Sequence, residues 1–299
     1  MHARVQIVAT SGSGDGTAPA LAAAIEQRLQ SRGHSAQTLA LPDAGRLADW
    51  AQHCKGDFSH LVCVGGDATL NAAAGAAVRL GVPVVPVPSG FGNLFARVFG
   101  YTNEAEDVAT LIEDGQIRRI DVGIGENGVF LAHRTYGLLD EVEQAVEDIR
   151  DGIESLTARH LAYYAGAMRI LRGNHLPSLQ VELDGKLIAD DAVLVTAANV
   201  ETFRGFLSLT PTASPVDGLL DLYVLPRTSP ARIWLTLLKL WLRVPGRWTG
   251  QLLRRGRWVR VSERGRVREE LLVLRRGLRL LLPSRAAHCA DADLTGSPR

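Results

Sequence analysis

Two glycine-rich turns hold the residues of this chain that are best suited to chemistry. The first runs Gly65-Gly66-Asp67-Ala68-Thr69 with Asn71 just behind it, and the second runs Ser89-Gly90-Phe91-Gly92-Asn93. Glycine lets a backbone turn tightly and approach a ligand closely. A helix N-terminus offers free N–H groups and the positive end of the helix dipole, which suit a phosphate group. If each turn opens a helix, the pair predicts a phosphate-binding site.

The sequence around both turns predicts a strand before each and a helix after each. Strands are predicted at 59–65 and 82–88, and the first helix is expected to start at about Thr69, which would cap it. Strands that alternate with helices favour a parallel sheet, and the carboxyl ends of neighbouring parallel strands face one crevice. A plain strand-to-helix turn, in which Asp67 and Thr69 only cap the helix, is the alternative.

The predicted fold class is α/β, with an N-terminal Rossmann-like nucleotide domain built on a parallel sheet and a C-terminal β-rich, β-sandwich-like domain. The pattern changes near residue 118, and Asn127-Gly128 then marks a hairpin turn. Helices are also predicted over 138–149 and 158–173. The expected domains are 1–122, 123–285 and a loose tail at 286–299, whose packing back onto the first domain stays open.

Composition excludes several classes of protein. Apolar residues make up 46% of the chain and charged residues 22%, which is ordinary for a globular protein and unlike a disordered one. The three cysteines, Cys54, Cys63 and Cys289, are too few and too scattered for a disulfide framework or a zinc cluster. The sequence predicts neither a signal peptide nor an uncharged apolar stretch of about 18 residues. We therefore expect a cytoplasmic location.

Positive charge is concentrated late in the chain. Residues 227–285 hold 16 Lys and Arg against 3 Asp and Glu, whereas residues 1–226 hold 16 against 27. Segment 230–258 contains four of the five tryptophans and opens with apolar residues at helical spacing, interleaved with basic ones. This pattern suits docking at membrane headgroups, although a core helix with solvated charges fits it too. No nucleic-acid partner is expected, because no recognition motif accompanies the arginines.

The two turns also carry a resemblance to a known family. Gly-Gly-Asp-Ala-Thr-x-Asn at 65–71, followed by Pro-x-Gly-x-Gly-Asn-x-x-Ala-Arg at 88–97, resembles the diacylglycerol kinase catalytic domain. The chain looks like the bacterial soluble lipid kinases and, more distantly, the sphingosine, ceramide and NAD kinases. The resemblance extends over RRIDVG (118–123), FLAHRTYGLLDEV (130–142) and PVDGLLDLYVL (215–225). It implies an active cleft between two domains, ATP and Mg²⁺ as cofactors, and transfer of the γ-phosphate to a lipid hydroxyl such as that of diacylglycerol.

The resemblance assigns roles to residues in both turns and in a later loop. Asp217, with the carbonyl groups of Ser214 and Leu219, would hold Mg²⁺, although Asp217-Gly218 also fits a hairpin turn without a metal. A lipid at the inner membrane surface would be the partner, and the oligomeric state stays open, with a homodimer as one option. The residues implied in nucleotide binding are Gly65, Gly66, Asp67, Ala68, Thr69, Asn71, Gly90, Phe91, Gly92 and Asn93.

Three departures from the family pattern bear on activity. Ala68 stands where the family has glycine, and its Cβ costs about 1 kcal/mol if that backbone needs a positive φ. Phe91 stands where the family usually has a hydroxyl-bearing residue. The family's late Asp-Gly-Glu, whose glutamate is taken as the base, aligns here with Arg264-Gly265-Arg266. A guanidinium cannot accept a proton at neutral pH.

These departures leave two hypotheses about function. In the first, the protein is a lipid kinase in which Asp67 organises Mg²⁺ or the acceptor and Glu263 is the base, with Glu269 and Glu270 as further carboxylates nearby. In the second, it is a catalytically impaired kinase-fold protein that binds nucleotide or lipid. Loss of a base slows a reaction by about 10²–10⁴-fold, so the departures alone do not decide between them.

Overall fold

The computed structural model describes residues 2–12, 16–90, 92–140, 176–201, 209–241 and 251–282. The chain divides into two compact units. The first takes Met1–Ala132, Ser214–Leu219 and the chain from Val273, and the second takes His133–Ala213 and Leu220–Leu272. The first unit therefore runs ten residues past the predicted boundary at 122 and also recruits two later segments, which no boundary drawn along the sequence expresses.

The first unit contains the predicted parallel sheet. Its strands are β1 Arg4–Thr10, β2 Ser35–Leu41, β3 His60–Gly65 and β4 Pro83–Pro88, in the spatial order β4-β3-β1-β2. All their pairings are parallel, and β3 meets β4 in a register that places Gly65 opposite Pro88. β1, β3 and β4 are buried along nearly their whole length, as expected for a sheet covered on both faces.

Helices follow these strands in the predicted order. They are α1 Ala18–Ser31, α2 Ala44–His53, α3 Asp67–Leu80, α4 Leu94–Val98 and α5 Ala105–Asp114. α3 begins two residues earlier than predicted, with Gly66 as its N-cap. Thr69 therefore does not cap the helix but lies buried inside its first turn. The helix ends at Gly81, whose φ of 67° is the left-handed conformation that glycine tolerates.

A hairpin and the end of a long strand complete the first unit. β5 Gln116–Gly125 and β6 Gly128–Phe130 pair antiparallel across the predicted turn, where Gly128 has a φ of 94°. β13, Arg266–Leu282, belongs to the second unit up to Leu272 and to the first from Val273. Its last part lies parallel to β4, with Arg279 opposite Pro83.

The second unit is antiparallel and β-rich, so the predicted fold class is confirmed for both parts of the chain. Its strands are β7 His133–Gly137, β8 Leu179–Leu183, β9 Lys186–Ala198, β10 Leu220–Pro226, β11 Leu252–Gly256, β12 Trp258–Glu263 and the first part of β13. β11 was not predicted from the sequence, and the two strands expected at 270–276 and 278–283 are one continuous strand.

The predicted helix in the basic segment is α6, Pro230–Trp241. Its Ile233 and Leu237 are 0% and 7% exposed and pack in an apolar cluster with strand residues such as Val193 and Tyr223. Those two apolar side chains therefore form core contacts, as the core-helix alternative proposes. Most of the helices predicted at 138–149 and 158–173, and the tail at 286–299, lie outside the described residues.

Candidate active site

The two glycine-rich turns meet at the carboxyl end of the parallel sheet, as predicted. β3 and β4 are neighbours, and the Ser89 N–H donates to the Gly65 carbonyl oxygen at 3.3 Å. A Cβ added to Gly90 would lie 3.0 Å from the Gly66 Cα and 3.4 Å from the Gly66 nitrogen. The two backbones therefore approach so closely that a side chain at Gly90 would displace its neighbour. Phe91, which follows Gly90 in the second turn, lies outside the described residues.

Asp67 ties the first turn to the second. Its Oδ2 accepts from the Leu94 N–H at 3.0 Å, and its Oδ1 accepts from the Phe95 N–H at 3.1 Å. These N–H groups belong to the first turn of α4, where intrahelical acceptors are missing and a carboxylate is favoured. A Cβ at Gly92 would meet the same carboxylate at 3.0 Å. Asp67, predicted as a catalytic residue, thus has a clear positioning role between the two turns.

A buried pair of threonine hydroxyl groups supports the first turn. Thr69 and Thr10 are 2% and 1% exposed, and their Oγ1 atoms lie 2.8 Å apart. Thr10 is the last residue of β1, and the sequence analysis assigned it no role. A polar residue directly after the apolar run at 7–9 was the available signal. The pair fixes Thr69 against Gly65, where an added Cβ would approach three Thr69 side-chain atoms within 2.4–2.6 Å.

Two asparagines predicted to bind nucleotide form hydrogen bonds to the backbone of this region. Asn71 accepts through Oδ1 from the Leu131 N–H at 3.0 Å. Asn93, in the left-handed conformation at φ 45°, accepts from the Gly90 N–H at 3.0 Å and donates to the Gly90 carbonyl. These hydrogen bonds help to hold the two turns in place.

The N-terminus of α3 is the part of the site best suited to an anion. Helix geometry leaves the N–H groups of the first turn without intrahelical acceptors, and Gly66 supplies no side-chain cap. Ala68 is exposed there, within the helix and without a positive φ. A cavity of about 10 Å³, roughly the space of one water, lies beside this turn. Its lining includes Gly65, Gly66, Asp67 and Asn93.

The predicted metal loop is held by a carboxylate that the sequence analysis missed. Asp121 is 1% exposed, and its two oxygens accept from the N–H groups of Gly218 and Arg276, both at 2.6 Å. Within the loop, the Asp217 Oδ1 accepts from the Leu219 N–H at 3.0 Å. In the described part of the chain before β10, residues 209–219 form no strand, and the Pro215 carbonyl accepts from the Asp121 N–H of β5 at 2.6 Å. In the sequence, Asp121 follows a basic run in RRIDVG, and nothing there indicates that its side chain is buried.

The oxygen donors of this loop are compatible with Mg²⁺. One carboxylate, from Asp217, and the backbone carbonyls of Ser214 and Leu219 are hard ligands, and Mg²⁺ usually keeps several waters besides. No group of three or more His, Cys, Asp or Glu side chains that could hold a metal occurs among the residues described by the structure. A metal here would therefore rest on a single carboxylate with carbonyls and water.

The three carboxylates considered as a base differ in their surroundings within the second unit. Glu263 lies 3.3 Å from Arg268, and its side chain is 26% exposed. Glu270 is paired with Arg260 at 2.8 Å. Glu269 is 5% exposed and accepts from the Tyr136 hydroxyl at 2.6 Å, so it lies in the interior. Burial, and then this hydrogen bond, raises the pKa of Tyr136.

A larger cavity of about 510 Å³ lies elsewhere in the first unit. It is bounded by β4, α5 and the segment around Tyr101, and none of its lining residues belongs to the predicted site.

Among the described residues, no helix has the length and apolar character needed to cross a bilayer.

Comparison with known proteins places this geometry in a family. The diacylglycerol kinase catalytic domain matches residues 4–124, which include both glycine-rich turns, and the YegS C-terminal NAD kinase beta sandwich-like domain matches residues 137–262. Residues 4–124 therefore carry the diacylglycerol kinase catalytic domain. The resemblance seen in the sequence is thereby confirmed, and the family is one of kinase-type phosphotransferases.

Curated relatives named diacylglycerol kinase come from bacteria. A diacylglycerol kinase of Bacillus subtilis strain 168 is 27% identical over 215 residues, covering 70% of this chain and 69% of the relative. One of Staphylococcus aureus strain JH9 is 26% identical over 211 residues, covering 69% and 65%. The matched part thus spans about two thirds of each relative.

Solved structures show the same fold. The crystal structure of a diacylglycerol kinase from Bacillus anthracis strain Sterne superposes with a TM-score of 0.67 at 16% identity, covering 95% of this chain and 98% of that one. Another crystal structure from the same organism reaches 0.72 at 17% identity, covering 95% and 96%. At these identities the likeness speaks for the fold alone.

Proposed function

We propose that the protein is an ATP- and Mg²⁺-dependent lipid kinase that transfers the γ-phosphate to a lipid hydroxyl such as that of diacylglycerol. The observation that carries this proposal is the meeting of the two glycine turns at the uncapped N-terminus of α3. Backbone N–H groups and the helix dipole suit a phosphate chain there. The names of the bacterial relatives support a lipid acceptor.

The residues would divide the work of phosphoryl transfer, which depends mostly on positioning and charge stabilisation. The first turn of α3 would bind phosphate oxygens, and Asp67 would keep the second turn in place beside it. The loop of Ser214, Asp217 and Leu219 would hold Mg²⁺, which when bound neutralises negative charge. Glu263 would accept the proton of the acceptor hydroxyl as its oxygen bonds to phosphorus and ADP leaves.

The direct test is transfer of labelled γ-phosphate from ATP to a total bacterial lipid extract by the purified protein with Mg²⁺. One labelled lipid on the chromatogram, absent without protein and without Mg²⁺, is the expected result, and its mobility identifies the acceptor class. No labelled lipid, while an active bacterial diacylglycerol kinase labels the same extract, would overturn the kinase proposal.

Replacement of Glu263 tests the proposed base. Glu263→Gln is expected to lower kcat by about 10²–10⁴-fold while leaving KM for ATP nearly unchanged, because the amide cannot take the proton. Glu270→Gln is the matched control, since Glu270 lies on the same hairpin and, like Glu263, is paired with an arginine, but has no proposed catalytic role. Similar kcat values for the two variants would remove Glu263 from the catalytic role.

Ala68 is another departure from the family pattern, and the geometry of α3 predicts its effect. Because Ala68 is exposed and helical, Ala68→Gly is expected to leave nucleotide affinity unchanged and lower stability by about 0.5–1 kcal/mol. Ala72→Gly, one turn further along α3, should cost a similar amount. Calorimetric titration with ATP and urea unfolding measure the two quantities. A clear gain in affinity for Ala68→Gly would mean that the Cβ intrudes on the ligand.

A binding protein without efficient turnover is the second candidate. It is favoured by the exposed Arg266, which stands where the family pattern has its glutamate, and by the engagement of both Asp67 oxygens. Tight ATP binding by calorimetry, together with no labelled lipid in the transfer experiment, would select this candidate over the kinase.

A further inference from the structure

The β12–β13 hairpin of the second unit has one buried side and one open side. Val259, Val261 and Leu271 are fully buried. Trp258 and Leu272, which are directly opposite each other in the register, point the other way because side chains alternate along a strand. We call this open side, with the flanking Arg257 and the turn at Arg264, the hairpin face.

Large aliphatic side chains are exposed on the hairpin face. Val267 and Leu272 on β13 are both 51% exposed. In the strand pairing, Glu270 lies opposite Arg260, Arg260 opposite Glu182, and Glu182 opposite Leu187 on β9. Leu187 is therefore on the same side of the sheet, and it is 60% exposed. Single exposed aliphatic residues are ordinary, but several on one sheet face mark a surface that meets a partner.

Arginines border these aliphatic residues. Arg257, Arg264 and Arg266 are exposed, and none has a carboxylate partner in the part of the chain that the structure describes. Arg260 stacks on the Trp258 ring, with its guanidinium carbon 4.8 Å from the ring centroid. Aliphatic residues and tryptophan flanked by arginine suit the boundary between headgroups and acyl chains, where arginine extends its charge into the headgroups.

We propose that the hairpin face docks on an anionic bilayer surface. The inference rests on the proposed function, since a lipid acceptor resides in a bilayer. Glu182 and Glu270 on this side are paired with Arg260, so the positive charge left over is that of Arg257, Arg264 and Arg266. This excess favours anionic lipid over a second copy of the chain, whose face would carry the same excess. The hairpin face shares Arg257 and Trp258 with segment 230–258, which the sequence suggested for docking, whereas Ile233 and Leu237 in the helix of that segment are buried.

The test is sedimentation of the full-length protein with vesicles of phosphatidylcholine alone and of phosphatidylcholine with phosphatidylglycerol. The wild-type protein is expected to bind only the anionic vesicles. The double variant Arg257→Gln with Arg264→Gln should weaken that binding by about 30-fold, since each basic residue near such a surface strengthens binding about fivefold. Val267→Ser with Leu272→Ser should weaken it by at least tenfold through lost apolar burial.

A control variant and a second substrate separate docking from catalysis. Arg46→Gln with Ile117→Ser changes one exposed arginine and one aliphatic residue that is also 51% exposed, both in the first unit, and should leave vesicle binding unchanged. Phosphorylation of a water-soluble short-chain diacylglycerol should be the same in the wild-type protein, in the control variant and in the single variants Arg257→Gln and Leu272→Ser, none of which changes the turn beside Glu263. Selective loss of vesicle binding then supports the docking face even if the wild-type protein phosphorylates nothing.

Three results would overturn the inference. Hairpin-face variants that bind anionic vesicles like the wild-type protein would show that another surface docks. Equal wild-type binding to neutral and anionic vesicles would remove the role of charge. A wild-type dimer in light scattering that becomes monomeric in Val267→Ser with Leu272→Ser would assign the face to a second copy of this chain.

Discussion

Asp121→Ala is expected to lower the free energy of unfolding by about 2–5 kcal/mol. The side chain is 1% exposed, and its two oxygens accept from the backbone N–H groups of Gly218 and Arg276 at 2.6 Å each. Each buried donor that loses its acceptor costs about 1–3 kcal/mol. Arg276 has a φ of 51°, which this contact helps to maintain. Urea unfolding followed by circular dichroism measures the loss.

Two further variants make the Asp121 experiment specific. Asp121→Asn keeps one acceptor but turns an amide N–H₂ toward the other donor, so a loss similar to that of alanine is expected. Asp49→Ala replaces an exposed carboxylate within α2 and should change stability by less than about 0.5 kcal/mol. Wild-type stability in Asp121→Ala would mean that the clamp on the 214–219 loop contributes nothing.

Gly65→Ala is expected to destabilise the protein by about 1–3 kcal/mol and to abolish binding of ATP. Its Cβ would approach the Thr69 Cβ, Cγ2 and Oγ1 within 2.4–2.6 Å, closer than atoms can pack. Thr69 cannot move away freely, because it is buried and its hydroxyl is held by Thr10 at 2.8 Å. The first turn of α3 would shift, and with it the N–H groups proposed to bind phosphate.

Two comparisons isolate this contact. Thr69→Ala should fail to rescue Gly65→Ala, because the nearest clashing atom is the Thr69 Cβ, which alanine retains. Gly75→Ala in the same helix meets no atom within 4 Å and should raise stability by about 0.5–1 kcal/mol. Calorimetry with ATP and urea unfolding provide both readouts. Normal affinity and stability in Gly65→Ala would show that the turn adapts without cost.

Local patterns accounted for most of the first unit. The alternation of apolar strands with helices predicted four parallel strands, and their adjacency brought the glycine turns together because parallel strands share one carboxyl edge. Turn chemistry predicted the hairpin at Asn127-Gly128, where Gly128 has a positive φ. These features depend on neighbours in the chain, which a sequence displays directly.

Long-range pairing decided the features that the sequence analysis missed. Asp121 and Thr10 act through residues 97 and 59 positions away, and nothing near them in the chain reveals those partners. α3 starts at Asp67, whose carboxylate accepts from the Leu94 N–H of α4, and Gly66 is its N-cap. Such contacts exist only once the chain is folded.

The amino-acid sequence alone was sufficient for the family, the fold class and the chemical character of the two turns, because glycine spacing and strand-helix alternation are local properties. Only the tertiary structure decided which side chains hold the turns and which are exposed. It showed the hydrogen bonds of Asp67, Asn71 and Asn93 to backbone groups and the burial of Ile233 and Leu237 in α6. The reason is that burial and hydrogen-bond partners are set by contacts across the fold, which strand register and packing fix together.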